Sequence, residues 1–161
     1  MTEDYKSLLD DGIFAIQDGK FENGIDFINR SIEIKSDWEI PYFYRAVAYQ
    51  ALEKWDDASL DYTKAIQLND KMIDAYYNRA RIVLVRKDIE NPNIQNAIKD
   101  LDIAIKLDEN FIDALYAMAA AQKKIGEYEV AIKYLNKILF LEPEAVNARA
   151  FKKLLLQKYI K

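Results

Sequence analysis

Two arginine–aspartate pairs occupy corresponding positions in two segments of the chain. Arg45 precedes Asp61, and Arg79 precedes Asp100 at corresponding positions of a later segment. An arginine and an aspartate on facing helices form an ion pair, which more often sets the register of two helices than adds much stability. A bond between Asp61 and Arg79 is the alternative. Either arrangement predicts a structural role for all four side chains.

The residue types that most often perform catalysis are missing. The chain has no histidine and no cysteine, so it lacks the commonest general base and metal ligand and has no thiol nucleophile. Its four glycines form no phosphate-binding run. Carboxylates such as Asp56, Asp57 and Asp102 fit solvated helix faces. We therefore predict a protein that is not an enzyme and that needs no cofactor and no metal ion.

The segment that would position Arg45 and Asp61 is residues 39–72, which predict two helices joined by a short turn. Before the turn, Tyr42, Ala46 and Tyr49 recur three to four residues apart and therefore lie on one helix face. After the turn, Ala58 and Tyr62 resume the same period. The alanine at the centre of each face allows the two helix backbones to approach closely.

The same unit recurs along the chain. The first small residue occurs at Gly12, Ala46, Ala80 and Ala119, with steps of 34, 34 and 39 residues. The second small residue occurs at Gly24, Ala58, Ala97 and Ala131, with steps of 34, 39 and 34 residues. Because both series stay in register, the longer step indicates an insertion of five residues within the third unit.

A 34-residue period with these residues resembles the tetratricopeptide repeat family, over nearly the whole chain. The resemblance implies an all-α fold, a right-handed α-solenoid of four helix-turn-helix repeats plus a C-terminal capping helix. We expect one domain, residues 1–161, with repeats at about 5–38, 39–72, 73–111 and 112–145, and a capping helix at about 146–160. The sequence departs from the family pattern at Ile138 and Asp11, and the proline that closes the repeat occurs only as Pro143.

The ends of the first and third repeats carry specific predictions. The sequence predicts Thr2 as the N-cap of the first helix. The insertion lies within residues 87–96, where Asn91 can cap a helix that Pro92 begins. We expect this polar segment to bulge at the turn between two helices, with Ile94 packed inward and Ile89 either packed on its own repeat or available as a second contact site.

In tetratricopeptide arrays the first helices of successive repeats line a concave groove that holds peptides. The resemblance therefore assigns peptide binding to one row of residues and its neighbours: Leu9, Phe43, Tyr77, Asn78, Arg81, Tyr116 and Lys123. Packing of these side chains between neighbouring helices is the alternative. A subset of the family grips the C-terminal carboxylate of chaperones with lysine and asparagine, but this chain has Leu9, Ile13, Phe43 and Val47 in those slots.

Composition limits the partners. The net charge is −4 and the isoelectric point is about 5.0, which argues against bulk attraction to nucleic acid or to anionic membranes. No signal segment or membrane-spanning run is apparent, and we expect a cytoplasmic protein. The sequence thus predicts a non-catalytic interaction module or scaffold that binds a peptide or helix of a partner protein.

The alternative function is self-association through the last helix, giving a homo-oligomer. That helix contains more apolar residues than one capped face requires: Phe151, Leu154, Leu155, Leu156, Tyr159 and Ile160.

Overall fold

The structure is a computed structural model that describes residues 4–86 and 92–159. Thr2, Ile160 and residues 87–91, which include Ile89, lie outside the described residues. The described secondary structure is entirely helical, as predicted. The helices are α1 (Tyr5–Gln17), α2 (Phe21–Ile34), α3 (Glu39–Ala51), α4 (Trp55–Leu68), α5 (Ile73–Val85), α6 (Ile94–Leu107), α7 (Ile112–Lys124), α8 (Tyr128–Leu141) and α9 (Val146–Lys158).

Local sequence explains where these helices begin and end. Asp4, and not the predicted Thr2, is the N-cap of α1, and its side chain accepts a hydrogen bond from the backbone N–H of Ser7 at 3.3 Å. Gly19 and Gly126 end α1 and α7 with left-handed backbone angles, φ 76° and 86°. At the equivalent position after α3, Glu53 adopts φ 57° without the freedom of glycine.

The chain divides into two compact units, Met1–Ile82 and Val83–Lys161, and the boundary falls inside α5. In the first unit α1 packs on α2, α2 on α3 and α3 on α4. Gly12 and Gly24 face each other where α1 crosses α2: a Cβ on Gly24 would lie 2.9 Å from the carbonyl oxygen of Gly12. Ala46 and Ala58 hold the same slots in α3 and α4 and are fully buried.

The second unit repeats this construction, with α6 packed on α7, α7 on α8 and α8 on α9. Its core joins Leu115, Leu135 and Leu155 around the small pair Ala119 and Ala131. Ile138, where the sequence departs from the small-residue pattern, is also buried in this core. A larger side chain at that slot therefore fits between α8 and α9.

Helix α9 keeps the repeat period. It begins at Val146, 34 residues after α7 begins at Ile112, so it corresponds in register to the first helix of a further repeat. However, the slot that holds glycine or alanine in the earlier first helices holds the exposed Lys153 here. Within the described residues, no helix is both long enough and apolar enough to cross a bilayer.

Candidate functional site

Arg45 on α3 connects three helices of the first unit through hydrogen bonds. Its Nε and Nη2 donate to the two carboxylate oxygens of Asp61 on α4, at 2.6 and 2.7 Å, and its Nη1 donates to Oδ1 of Asn29 on α2 at 2.6 Å. Burial by itself lowers the pKa of Arg45, but the hydrogen bonds and the charge of Asp61 outweigh it and raise that pKa. The bidentate geometry fits the structural role predicted for this pair.

The second predicted pair is divided between the two units. Arg79 lies on α5 in the first unit, and its Nη1 donates to Oγ1 of Thr63 on α4 at 2.9 Å. This bond matches the bond from Arg45 to Asn29 one repeat earlier. Asp100 lies on α6 in the second unit and is buried. Pairing of Arg79 with Asp100 stays a prediction.

The candidate binding residue Phe43 packs against a buried tyrosine, Tyr62. Phe43 is half-buried, and its ring lies 5.8 Å from the ring of Tyr62. Tyr62 is completely buried, and its hydroxyl donates to Oε1 of Gln50 at 3.1 Å. Burial raises the pKa of Tyr62, and the nearby positive charge of Arg81 opposes the rise. Tyr62 thus stays neutral and supports the ring of Phe43 from within the core.

Tyr77, Asn78 and Arg81 on α5 are also half-buried. The guanidinium of Arg81 lies 5.5 Å from the ring centre of Tyr77, within the range of a cation–π interaction. Aromatic and cationic surface therefore occur side by side on α5, at positions that the sequence predicted for peptide contact.

The assignment of Leu9 to the peptide-contact row was wrong. Leu9 is only 3% exposed and packs in a core cluster with Ile16, Ile25, Ile28 and Ala48. Phe43 and Tyr77 hold the same slot with longer side chains and stay partly exposed. A leucine at this slot is short enough for α2 and α3 to cover, so it supports the fold and offers no surface to a partner.

The second unit contains an open cleft between α7 and α9, of about 560 Å³. We refer to it as the α7–α9 cleft. Its floor joins the rings of Tyr116 and Phe151, whose centres lie 5.7 Å apart. Lys123 Nζ lies 5.7 Å from the ring centre of Phe151. The lining residues are Tyr116, Ala120, Lys123, Lys124, Asn147, Ala150, Phe151 and Leu154.

Small side chains create this cleft. Ala120 occupies the slot that holds Ile13, Val47 and Arg81 in the earlier first helices. Ala150 continues the row of Leu9, Phe43, Tyr77 and Tyr116. Because both positions carry only a methyl group, the space that larger side chains would occupy is left open between α7 and α9.

The sequence predicted Tyr116 and Lys123 as binding residues but missed the contribution of α9. Its interpretation of α9 as an end cap gave Asn147 no binding role and gave Phe151 a role only in self-association, although both line the α7–α9 cleft. The signal that could have found them is the unbroken 34-residue step to Val146, which places α9 in the register of a first helix. Within the described residues, no group of three or more acidic side chains is arranged to hold a metal ion.

Comparison with known proteins identifies the repeats. The chain is 34% identical over 126 residues to the rat mitochondrial import receptor subunit TOM70, covering 74% of this chain and 20% of that protein. It is 25% identical over 133 residues to the TPR repeat-containing protein MJ1428 of Methanocaldococcus jannaschii, covering 81% of this chain and 22% of that protein. The chain thus spans about a fifth of the length of these curated relatives. No family model matches it.

Solved structures show the same fold. A MamA crystal structure superposes with a TM-score of 0.86 at 21% identity, covering 98% of this chain and 83% of that one. The TPR domain of Arabidopsis OM64 superposes with a TM-score of 0.66 at 26% identity, covering 74% and 95%. The first TPR of Spaghetti (RPAP3), bound to the HSP90 peptide SRMEEVD, gives 0.70 at 21%, covering 78% and 95%.

The chain is a tetratricopeptide-repeat protein. Its fold class is the all-α solenoid of helix-turn-helix repeats that the 34-residue period predicted. Of the first helices of these tetratricopeptide repeats, α3, α5 and α7 carry the partly exposed aromatic residues described above, and α9 extends the series in register.

Proposed function

We propose that this tetratricopeptide-repeat protein is a non-catalytic interaction module that binds a peptide or a helix of a partner protein on the faces of its first helices. The observation that carries the proposal is the partial exposure of Phe43, Tyr77 and Tyr116 at one repeated slot. The described residues at the preceding slot, Tyr42, Tyr76 and Leu115, are buried. Aromatic side chains that stay accessible on a rigid scaffold are typical anchors of protein interfaces.

Similar proteins support this class of function. The RPAP3 domain was solved bound to a peptide of HSP90, and TOM70 is named an import receptor subunit. We do not propose the HSP90 peptide as a ligand of this chain. The slots where the family's chaperone-binding subset carries lysine and asparagine hold apolar residues here, and one of them, Leu9, is buried.

A direct test begins with a random library of peptides of about 12 residues, long enough to lie along two helices, panned against the immobilised chain. Affinities of selected peptides are measured by calorimetry for the wild type, for Tyr77→Ala and for Leu60→Ala. Leu60 is an exposed apolar residue on the second helix α4, so it controls for nonspecific loss of apolar surface.

We expect Tyr77→Ala to weaken at least one class of selected peptides by about ten-fold or more, as for an interface anchor, with little change in thermal stability. Leu60→Ala should leave those affinities unchanged. Failure to select any peptide, or equal effects of the two substitutions, would overturn the proposal.

Self-association through α9 is a second candidate. It is favoured by Leu154 and Leu156, which are each 45% exposed. Light scattering after size-exclusion chromatography measures the solution mass, and a dimer that Leu156→Ser converts to a monomer would support this candidate. A monomer across the accessible concentration range would rule it out.

A further inference from the structure

We propose that the α7–α9 cleft accepts an acidic segment of the partner protein, with one apolar side chain in the depression over Ala120 and Ala150 and a neighbouring carboxylate at Lys123 and Lys124. This inference rests on the proposed function and names the chemical class of the partner at one place. The occupant is an internal peptide segment, and the site does not require a free chain end.

The shape and lining of the cleft fit an apolar side chain. A space of about 560 Å³ lies within the range of small-ligand pockets and exceeds what one leucine or phenylalanine side chain fills. Tyr116 is 38% exposed and Leu154 is 45% exposed, so both have apolar surface that an inserted side chain would remove from water.

The charges of the cleft select an acidic occupant. Lys123 and Lys124 line one end, and none of the described residues that line it is acidic. The α9 side chains that line the opposite wall are uncharged. The helix as a whole contains four basic residues, of which Arg149 pairs with Glu144, and no acidic one. An acidic segment is therefore attracted on approach and a basic one is repelled.

A neighbouring cleft gives the segment a direction. It shares Tyr116 and Asn147 with the α7–α9 cleft but is lined by Asp113 and Glu142. Negative charge therefore lies on one side of Tyr116, and positive charge lies on the other. A segment crossing Tyr116 places its carboxylates toward Lys123 and not toward Asp113.

The position of Lys123 distinguishes a binding role from a purely helical one. Basic residues in the last turn of a helix complement its dipole, and both Lys123 and Lys124 lie in the last turn of α7. The ammonium of Lys123 also lies over the ring of Phe151 on α9, 5.7 Å from its centre. This contact holds the positive charge at the edge of the apolar floor, where a carboxylate beside an inserted side chain would meet it.

The test uses the full chain, isotope-labelled for NMR, and a short synthetic peptide with both ends capped and one leucine between two pairs of glutamates. Two control peptides replace the glutamates by lysines or the leucine by glycine. Ala150→Tyr is the main variant, because it restores at an exposed position the type of side chain that fills this row in earlier repeats. Lys133→Gln, an exposed lysine on α8 outside the cleft, is the matched control for Lys123→Gln and Lys124→Gln.

We expect the glutamate–leucine peptide to shift the amide signals around Ala120 and Ala150. It should bind about ten-fold or more tightly than either control peptide, since both the charge and the side chain contribute. Ala150→Tyr should abolish the shifts. Each cleft lysine substitution should weaken binding by about three-fold and Lys133→Gln should not, because partly exposed charges interact modestly. The affinity for the glutamate–leucine peptide should decrease when the NaCl concentration is raised from about 0.05 to about 0.5 M.

Equal binding of the lysine peptide, unchanged affinity in Ala150→Tyr, or shifts confined to the first unit would overturn this inference. So would binding of anionic lipid vesicles, without binding of the peptide, through the same two lysines. The proposed function would survive these outcomes if library-selected peptides still depended on Tyr77. It would fail separately if no peptide of any composition bound.

Discussion

Replacing Asp61 with alanine tests whether the Arg45–Asp61 pair is a buried structural element. The side chains of Arg45 and Asp61 are 19% and 10% exposed and make two hydrogen bonds of 2.6 and 2.7 Å. Removing one member of a fully buried pair costs about 3–5 kcal/mol, whereas an exposed pair contributes about 0.2–1 kcal/mol. At this burial, and with Asn29 still accepting from Arg45, we expect a loss of about 2–4 kcal/mol in the free energy of unfolding.

Asp102→Ala is a matched control. Asp102 pairs with Lys106 at the same distance of 2.6 Å, but the two side chains are 48% and 72% exposed. Both substitutions replace a helix-interior aspartate with alanine, so the change in helix propensity is common to them. We expect Asp102→Ala to cost less than about 1 kcal/mol and to depend more on salt.

A double-mutant cycle measures the energetic coupling between the two positions. Arg45→Met with Asp61→Tyr introduces the residues that the fourth repeat holds in these slots, Met118 and Tyr134. The double variant should recover part of the loss, with a coupling energy of about 1–3 kcal/mol. Urea unfolding followed by circular dichroism gives the free energies, and amide exchange of α3 and α4 reports local opening. Equal losses in Asp61→Ala and Asp102→Ala, or additive effects in the cycle, would refute the reasoning.

Three further substitutions probe the fold, each measured by urea unfolding. Gly24→Ala should destabilise by about 1–3 kcal/mol, because the new Cβ would lie 2.6 Å from Cγ1 of Ile16; a gain in stability would show that α1 and α2 can separate freely. Glu53→Gly should stabilise by about 0.5–1 kcal/mol by relieving the left-handed backbone; a loss of stability would contradict this account of strain at Glu53. Burial raises the pKa of Tyr62, so this tyrosine ionises in the unfolded chain before it ionises in the folded one. The free energy of unfolding should therefore fall above about pH 10. Tyr62→Phe should make that fall shallower, and an unchanged slope would assign the fall to other groups.

The sequence by itself determined the repeat, the helices and the class of fold. These depend on local periodicity and on small residues at fixed intervals, and both can be read from one chain: Gly12 with Gly24 and Ala46 with Ala58 mark the two helix crossings. The same spacing identified Arg45 and Asp61 as partners. The sequence also predicted that α9 starts at Val146, but we did not recognise from it that α9 corresponds to the first helix of a repeat.

The tertiary structure decided which side chains of a repeated slot remain accessible. Leu9 and Phe43 hold the same slot of the repeat, yet Leu9 is covered by its neighbours and Phe43 is only half-buried. Exposure depends on the length of the side chain and on the residues that pack over it. The α7–α9 cleft likewise needs Ala120 and Ala150 on two different helices, with Phe151 as its floor. An empty volume is a property of several residues at once, so no single slot in the sequence could reveal it.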